Sequence, residues 1–241
     1  MGNHSSHITD TYELKLQYKT FSELKEKIDS KGIKDLGVFY GIDYTASNVT
    51  SGKESFNGKN LHLIETNKKN PYEEVLTILG KYLEQYSSDI YLYSFGDSIS
   101  HGTSTSNMNK TGEPFTKYED VVSTYRTVTP YVTLSGPTNF SPLIEKAIEY
   151  SKTTKKQTLL IILCDGQVSD IKSNIQSIKE AEKEGVLITC IGIGDGPFGM
   201  FCSNNIVETP NFHFVKHYHI QTEFGENAEE TLAIASLQIL A

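Results

Sequence analysis

Three oxygen-bearing side chains follow one apolar stretch at alternate positions. The stretch Leu36 to Ile42 is rich in β-forming residues, and Asp43, Thr45 and Ser47 come directly after it. A strand that ends in this D-x-T-x-S pattern sets one carboxylate and two hydroxyls in a single loop. Hard cations such as Mg2+ take oxygen ligands of this kind. The pattern therefore predicts one part of a metal site just beyond a strand.

Two further oxygen ligands occur much later in the chain. Asp165 follows the continuous apolar run Thr158 to Cys164, which is typical of a central parallel strand covered on both faces. Thr138 precedes a segment with helical spacing. The loops that follow parallel strands share one edge of the sheet, so these groups can meet the first loop there. The predicted set has oxygen donors alone, which selects Mg2+, Mn2+ or Ca2+ over zinc or copper: Asp43, Thr45, Ser47, Thr138 and Asp165.

Strand and helix signals alternate along the rest of the chain. Apolar runs predict strands at 36–42, 89–95, 158–164, 186–193 and 211–216. Helical spacing predicts helices at 18–31, 71–83, 118–129, 141–152, 171–184 and 226–240, with Ser22 as a cap of the first. This alternation is typical of an α/β fold with a doubly wound, mostly parallel open sheet and helices on both faces. The 241 residues suit one such domain, at 18–241, after a polar leader at 1–17 that we expect to be disordered.

Composition narrows the classes of partner. The net charge of -8 argues against a nucleic-acid partner and provides no polybasic patch for anionic lipid. No apolar run reaches the length of a membrane span. The three cysteines, Cys164, Cys190 and Cys202, fit no zinc spacing and are expected to be reduced thiols, which indicates a cytoplasmic location.

The first six residues carry a separate signal. Met1-Gly2-Asn3-His4-Ser5-Ser6 matches the pattern for N-myristoylation at Gly2. The alternative is a short polar leader without modification. A single acyl chain would hold the protein only weakly at the inner face of the plasma membrane.

Several blocks of sequence, in order over about residues 36–200, resemble one known family. They include GIDYTASN, NPYEEVLTILG, LSGPTNFSPLIEKAI, LIILCDGQV and IGIGDGPF. The chain is similar to the von Willebrand factor A-type domain of copines and of plant RING-type ubiquitin ligases with a copine-like domain. That resemblance implies a metal-ion-dependent adhesion site made by the five residues named above, with Thr45 where many relatives have Ser.

The resemblance implies a protein-interaction module without catalytic activity. Mg2+ is the expected cofactor, with Ca2+ and Mn2+ as alternatives, and an open coordination position would accept a carboxylate from a protein partner. Copines carry two C2 domains before this domain, and the ligases carry a RING after it. With only three cysteines the chain cannot build a RING, so we expect a stand-alone domain without ligase activity or C2-type lipid binding.

Three other interpretations were weighed. An Mg2+-dependent phosphoryl hydrolase of the haloacid dehalogenase type would also use Asp43, but it needs a carboxylate where this chain has Thr45. His213, His217 and His219 suggest zinc, although no cysteine lies close by, and a solvated strand end is the favoured interpretation. The sequence GIGDGP at 192–197 does not match a phosphate-binding loop; it predicts a tight turn in which Asp195 supports the loop near the site.

Overall fold

One sheet organises the computed structural model, which describes residues 12–166, 168–202 and 209–241. Within these ranges the strand order is β3-β2-β1-β4-β5-β6. All neighbouring strands are parallel except β2 and β3, which are antiparallel. The strands are β1 (Gly37–Asp43), β2 (Asp89–Phe95), β3 (Ser106–Asn107), β4 (Thr158–Cys164), β5 (Val186–Gly192) and β6 (Phe212–Lys216).

Helices cover both faces of this sheet, because the strand side chains alternate between two separate cores. In β1, Val38 and Tyr40 join one core while Phe39 joins the other. The first core includes residues of α1, α2, α3 and α8, and the second includes residues of α4 and α5. The predicted doubly wound α/β fold is thus confirmed. The helices are α1 (Phe21–Ser30), α2 (Pro71–Leu83), α3 (Tyr118–Val128), α4 (Ser141–Thr154), α5 (Ile171–Lys183), α6 (Gly199–Cys202), α7 (His217–Phe224) and α8 (Ala228–Leu237).

The register of the central strands brings their carboxyl ends to one level. β1 lies between β2 and β4, with Asp43 opposite Phe95 and Ile42 opposite Leu163. Asp165 comes just after the end of β4, so it emerges beside the end of β1. The order of the strands therefore places two loops that are distant in sequence at the same point of the sheet edge.

Two predicted helix ends differ from the structure. The cap of α1 is Thr20, whose hydroxyl accepts a hydrogen bond from Glu23 N at 3.2 Å, and Ser22 lies inside the helix. The predicted closing helix at 226–240 corresponds to α8, which is flanked by 3-10 turns at 225–227 and 238–240, whereas α7 is missing from the prediction; Gly225, with φ of 51°, separates the two helices. A left-handed φ interrupts a helix, and glycine adopts it readily.

The histidine prediction also needs correction. His217 and His219 lie on α7 rather than at a solvated strand end. His217 is buried, and burial lowers its pKa to about 4. The even spacing of three histidines does not distinguish a strand from a strand followed by a short helix, because three positions are too few to define a period.

The predicted leader at 1–17 falls partly outside the described residues, and so does Gly2. Residues 12–17 form no helix or strand. They nevertheless contact the C-terminus, because Gln17 N donates to Gln238 Oε1 at 2.9 Å and Gln238 Nε2 donates to Lys15 O at 2.9 Å. The domain boundary at residue 18 stays a prediction. None of the helices in the described ranges combines the length and apolar character that crossing a membrane requires.

Candidate metal site

The first loop of the candidate site folds back on itself immediately after β1. Asp43 Oδ1 accepts a hydrogen bond from Thr45 N at 2.8 Å, which turns the chain. A short 3-10 helix (Ala46–Val49) then returns Ser47 towards Thr45, and their hydroxyl oxygens are 3.0 Å apart. The three alternating oxygens of the sequence motif are thereby gathered in one small loop.

Asp165 completes this cluster from the end of β4. Its Oδ1 accepts a hydrogen bond from Ser47 Oγ at 2.9 Å and a longer one from Thr45 Oγ1 at 3.4 Å. Asp43 and Asp165 are both buried. Four of the five predicted ligands, Asp43, Thr45, Ser47 and Asp165, therefore lie together.

Thr138 lies on the loop before α4, which forms hydrogen bonds with both the loop after β1 and the loop after β4. Its neighbour Ser135 pairs with Thr45, and Ala46 N donates to Ser135 O at 2.7 Å. Thr138 O accepts from Ser169 N, in the loop after β4, at 2.9 Å. Among the described residues no hydrogen bond joins the Thr138 hydroxyl to either carboxylate. The structure thus places Thr138 between the two loops without bonding its side chain to the cluster.

One oxygen of each carboxylate has no hydrogen-bond partner within the described ranges. Asp43 Oδ2 and Asp165 Oδ2 are fully buried and form no hydrogen bond with any described residue. Burial raises the pKa of Asp43 to about 8, and the neighbouring Asp165 carboxylate contributes in the same direction. Burial also raises the pKa of Asp165, although hydroxyl groups around it act the other way. Two buried carboxylates that disfavour each other's charge would be stabilised in their charged forms by a cation bound between them.

The described part of the chain does not supply that cation. No lysine or arginine is among the main causes of the pKa shift of either aspartate. No cluster of three or more histidine, cysteine or acidic side chains that could hold a metal occurs in the described ranges. The candidate site has two carboxylates and would depend on hydroxyl oxygens for its other ligands. That donor set fits a hard divalent cation that keeps some of its water.

A buried polar network beneath the loop was missed in the sequence. The main-chain oxygen of Asp43 accepts from His62 Nε2 at 2.8 Å, from Asn48 Nδ2 at 3.1 Å and from Tyr72 OH at 3.3 Å. The His62 ring is stacked between Tyr44 and Tyr72, with centroid distances of 4.4 and 4.2 Å. The available signal in the sequence is a lone histidine inside the short apolar patch 61–64.

The hydrogen bonds of His62 determine its tautomer. A carbonyl oxygen can only accept, so His62 Nε2 carries the proton that faces Asp43 O. His62 Nδ1 then accepts from Tyr125 OH at 2.8 Å. Burial lowers the pKa of His62 to about 3, which keeps the ring neutral. The network therefore positions the first ligand loop without adding charge to the site.

Asp195 holds a second loop against the site. Its carboxylate accepts from Glu54 N and Ser55 N, both at 2.9 Å, and Asp195 N donates to Ser51 O at 2.7 Å. These bonds fasten the segment after the 3-10 helix to the end of β5. Asp195 thus supports the loop geometry and is not part of the cluster of carboxylates and hydroxyls.

Comparison with known sequences identifies relatives of this chain. Residues 60–240 match the sequence profile of the family described as Copine. Copine family protein 1 of Caenorhabditis elegans is 35% identical over 95% of this chain and 22% of its own length. The E3 ubiquitin-protein ligase RGLG2 of Arabidopsis thaliana is 31% identical over 86% of this chain and 48% of its own length. The chain therefore spans less than half the length of both relatives.

Solved structures share the fold at low sequence identity. The SpRpn10 VWA domain has a TM-score of 0.53 and 13% identity, covering 79% of this chain and 97% of that one. Proximal thread matrix protein 1 from the mussel byssus, solved with a zinc-occupied MIDAS motif, has a TM-score of 0.53 and 15% identity over 84% of this chain and 48% of that one. Manganese-loaded TRAP protein of Plasmodium vivax has a TM-score of 0.51 and 12% identity over 76% of this chain and 69% of that one. These likenesses show a von Willebrand factor A fold.

Proposed function

The chain belongs to the copine family, and on that premise we propose that it is a metal-dependent protein-interaction domain without catalytic activity. The observation that carries the proposal is a pair of buried oxygens, Asp43 Oδ2 and Asp165 Oδ2, that have no hydrogen-bond partner among the described residues. A divalent ion would neutralise both carboxylates and satisfy both oxygens.

We propose Mg2+ as the ion, with Ca2+ and Mn2+ as alternatives. The ion would be held by the five predicted ligands: Asp43, Thr45, Ser47, Thr138 and Asp165. The loop after β1 and the end of β4 would contribute oxygens that already lie together, and Thr138 would contribute its hydroxyl from the adjacent loop. Two formal negative charges balance the ion, and the hydroxyls add none. The bound ion would therefore keep its attraction for a further anionic oxygen, which we propose to be a carboxylate of a protein partner.

Thermal unfolding in the presence of Mg2+ tests the site. A ligand that binds only the folded state adds about 2.7 kcal/mol to the free energy of unfolding at 100 times its Kd. We expect Mg2+ to raise the melting temperature of the wild type and to leave that of Asp165→Asn unchanged. A matched control is Asp89→Asn, which alters a carboxylate at the opposite end of the sheet and should keep the full Mg2+ response.

Two results would contradict the proposal. If the melting temperature of the wild type does not respond to Mg2+, Ca2+ or Mn2+, the proposed site does not bind a divalent ion. If the wild type hydrolyses p-nitrophenyl phosphate and Asp43→Asn does not, the protein is a phosphoryl hydrolase of the haloacid dehalogenase type and not an interaction domain.

We also propose a cytoplasmic location, with acylation of Gly2 as the means of weak membrane attachment. The support is the Met1 to Ser6 pattern and the cysteine content of the sequence. Mass measurement of the N-terminal peptide from the native protein tests the acylation, since a myristoyl group adds a fixed mass to Gly2.

A further inference from the structure

Large hydrophobic side chains are exposed at only a few described positions, and most of these lie at the metal edge of the sheet. Leu16 is the exception, because it lies in the N-terminal segment. The other five follow strands β1, β2 and β4 or the end of α3: Val49, Leu63, Ile99, Tyr131 and Ile171. Single exposed apolar residues need no explanation, whereas several at one edge indicate an interaction surface.

Ile99 and Tyr131 are the most exposed of the group, at 82% and 87%. They lie on neighbouring segments, since Asp97 pairs with Leu134 and Ser98 N donates to Thr133 O at 3.0 Å. Two apolar side chains that are this exposed on paired segments would bury additional area against a partner.

The loop that carries Ile99 is firmly held. The buried Asp97 carboxylate accepts from Ile99 N at 2.8 Å, from Ser100 N at 2.9 Å and from Ser94 Oγ at 2.9 Å. These bonds point the backbone of Ile99 inward and leave its side chain in solvent. A side chain presented on a fixed loop loses little freedom when it binds.

The segment that carries Tyr131 is anchored as well. Tyr131 ends the 3-10 helix Thr129–Tyr131, and Thr129 Oγ1 donates to Tyr125 O at 2.6 Å. The same hydroxyl is 2.7 Å from Tyr44 OH, directly after β1. Both exposed side chains are therefore tied to the elements that build the candidate metal site.

The two side chains are also near the orphaned carboxylates. A Cβ on Gly96 would lie 3.5 Å from Asp43 Oδ1, and Ser135 N donates to Gly96 O at 3.2 Å. Ile99 is three residues from Gly96 and Tyr131 is four residues from Ser135. At 3.3–3.6 Å per residue each lies within about 15 Å of these anchors, which is the span of a short peptide segment.

We propose that Ile99 and Tyr131 form an apolar docking surface beside the metal, for a protein segment in which large apolar side chains flank the acidic residue. This inference rests on the proposed function and specifies the partner of that site. The acidic residue would reach the ion while its apolar neighbours cover Ile99 and Tyr131. The other candidate occupant, an anionic membrane, would need a polybasic patch, which a net charge of -8 does not favour, whereas a single acidic residue needs only the ion.

Selection from a peptide library tests this surface. The library consists of 12-residue peptides with a fixed central Glu and random flanks, bound to the Mg2+-loaded protein and eluted with EDTA. We expect enrichment of Leu, Ile, Phe, Tyr or Trp within about four positions of the Glu. For an enriched peptide, Ile99→Ser and Tyr131→Ser should each weaken binding about fivefold to tenfold. Leu16→Ser alters an apolar side chain outside the edge that is 37% exposed, and this variant should bind as the wild type does.

The design separates failure of the surface from failure of the metal site. If the Mg2+-induced rise in melting temperature persists but eluted peptides show no apolar bias, or both serine variants bind normally, the surface is wrong and the metal site stands. If no Mg2+ response exists, or peptides bind equally in EDTA, the metal-bridged function itself is wrong. Vesicles of phosphatidylserine and phosphatidylcholine that bind the wild type but not the serine variants would assign the surface to a membrane. Self-association lost in those variants would assign it to a second copy; either result overturns the proposal.

Discussion

Two pairs of aspartates lie at opposite edges of the parallel sheet, and among the described residues only one pair has a cation. At the amino ends, Lys156 Nζ contacts Asp35 Oδ2 at 2.8 Å and Asp89 Oδ2 at 2.7 Å. At the carboxyl ends, Asp43 accepts from Thr45 N and Asp165 accepts from the Ser47 hydroxyl, and neither has a charged partner among the described residues. Both edges have the same architecture of strand ends and loops.

The pKa values follow this difference. Partial burial raises the pKa of Asp89, but hydrogen bonds from Lys156 and Tyr150 outweigh it and hold the pKa below its usual value. Burial raises the pKa of Asp43 to about 8, and no cation reverses it. The amino-edge pair is complete within the chain and contributes to structure. The carboxyl-edge pair is incomplete, which is a property of binding sites.

Replacing His62 should produce the largest loss of stability at the carboxyl edge. His62→Phe keeps the stacked ring but removes the hydrogen bonds to Asp43 O and Tyr125 OH. We expect a loss of about 2 kcal/mol in the free energy of unfolding, because buried polar groups are left without partners. Urea unfolding measures it. Tyr150→Phe at the amino edge is the control and should cost less than 1 kcal/mol, since Asp89 keeps Lys156. Equal losses would refute the special role of His62.

Neutralising one aspartate should change the free energy of unfolding in opposite directions at the two edges of the sheet. In EDTA, Asp165→Asn removes a buried like-charge interaction, and we expect it to raise the free energy of unfolding by about 1 kcal/mol. Asp89→Asn removes the partner of Lys156 and should lower it by about 1 kcal/mol or less. Chemical unfolding of both variants at neutral pH measures the difference. A destabilised metal-free Asp165→Asn would mean that the carboxyl-edge pair is structural.

The smallest effect concerns acid stability at the amino edge. Because the pKa of Asp89 is lowered in the folded state, its contribution is present above the unfolded pKa of 3.8 and is lost as the pH falls through the folded pKa. Solvent screening limits this contribution to a few tenths of a kcal/mol. Lys156→Met should flatten the decline in stability between pH 5 and pH 3 measured by urea unfolding. An unchanged slope would show that Lys156 does not stabilise the Asp89 charge.

Periodicity in the sequence predicted most elements because the cause of each is local. The run at 158–164 is apolar throughout, and β4 has those bounds. Asn70-Pro71 begins α2, where Asn70 accepts from Glu73 N and Glu73 accepts from Asn70 N. The prediction failed near residue 217, where the chain leaves β6 and enters α7 with no intervening turn residue.

The α/β alternation and the chemistry of the candidate ligands can be read from the chain directly, since the side-chain types at 43, 45, 47, 138 and 165 are oxygen donors in any fold. The environment of these side chains depends on how distant segments pack. Ser47 and Asp165 are 118 positions apart and meet because β1 and β4 are neighbours in the sheet. Burial without a charged partner leaves two oxygens unsatisfied, and no local pattern encodes that absence. The support from His62 and the exposure of Ile99 and Tyr131 likewise depend on packing between distant segments.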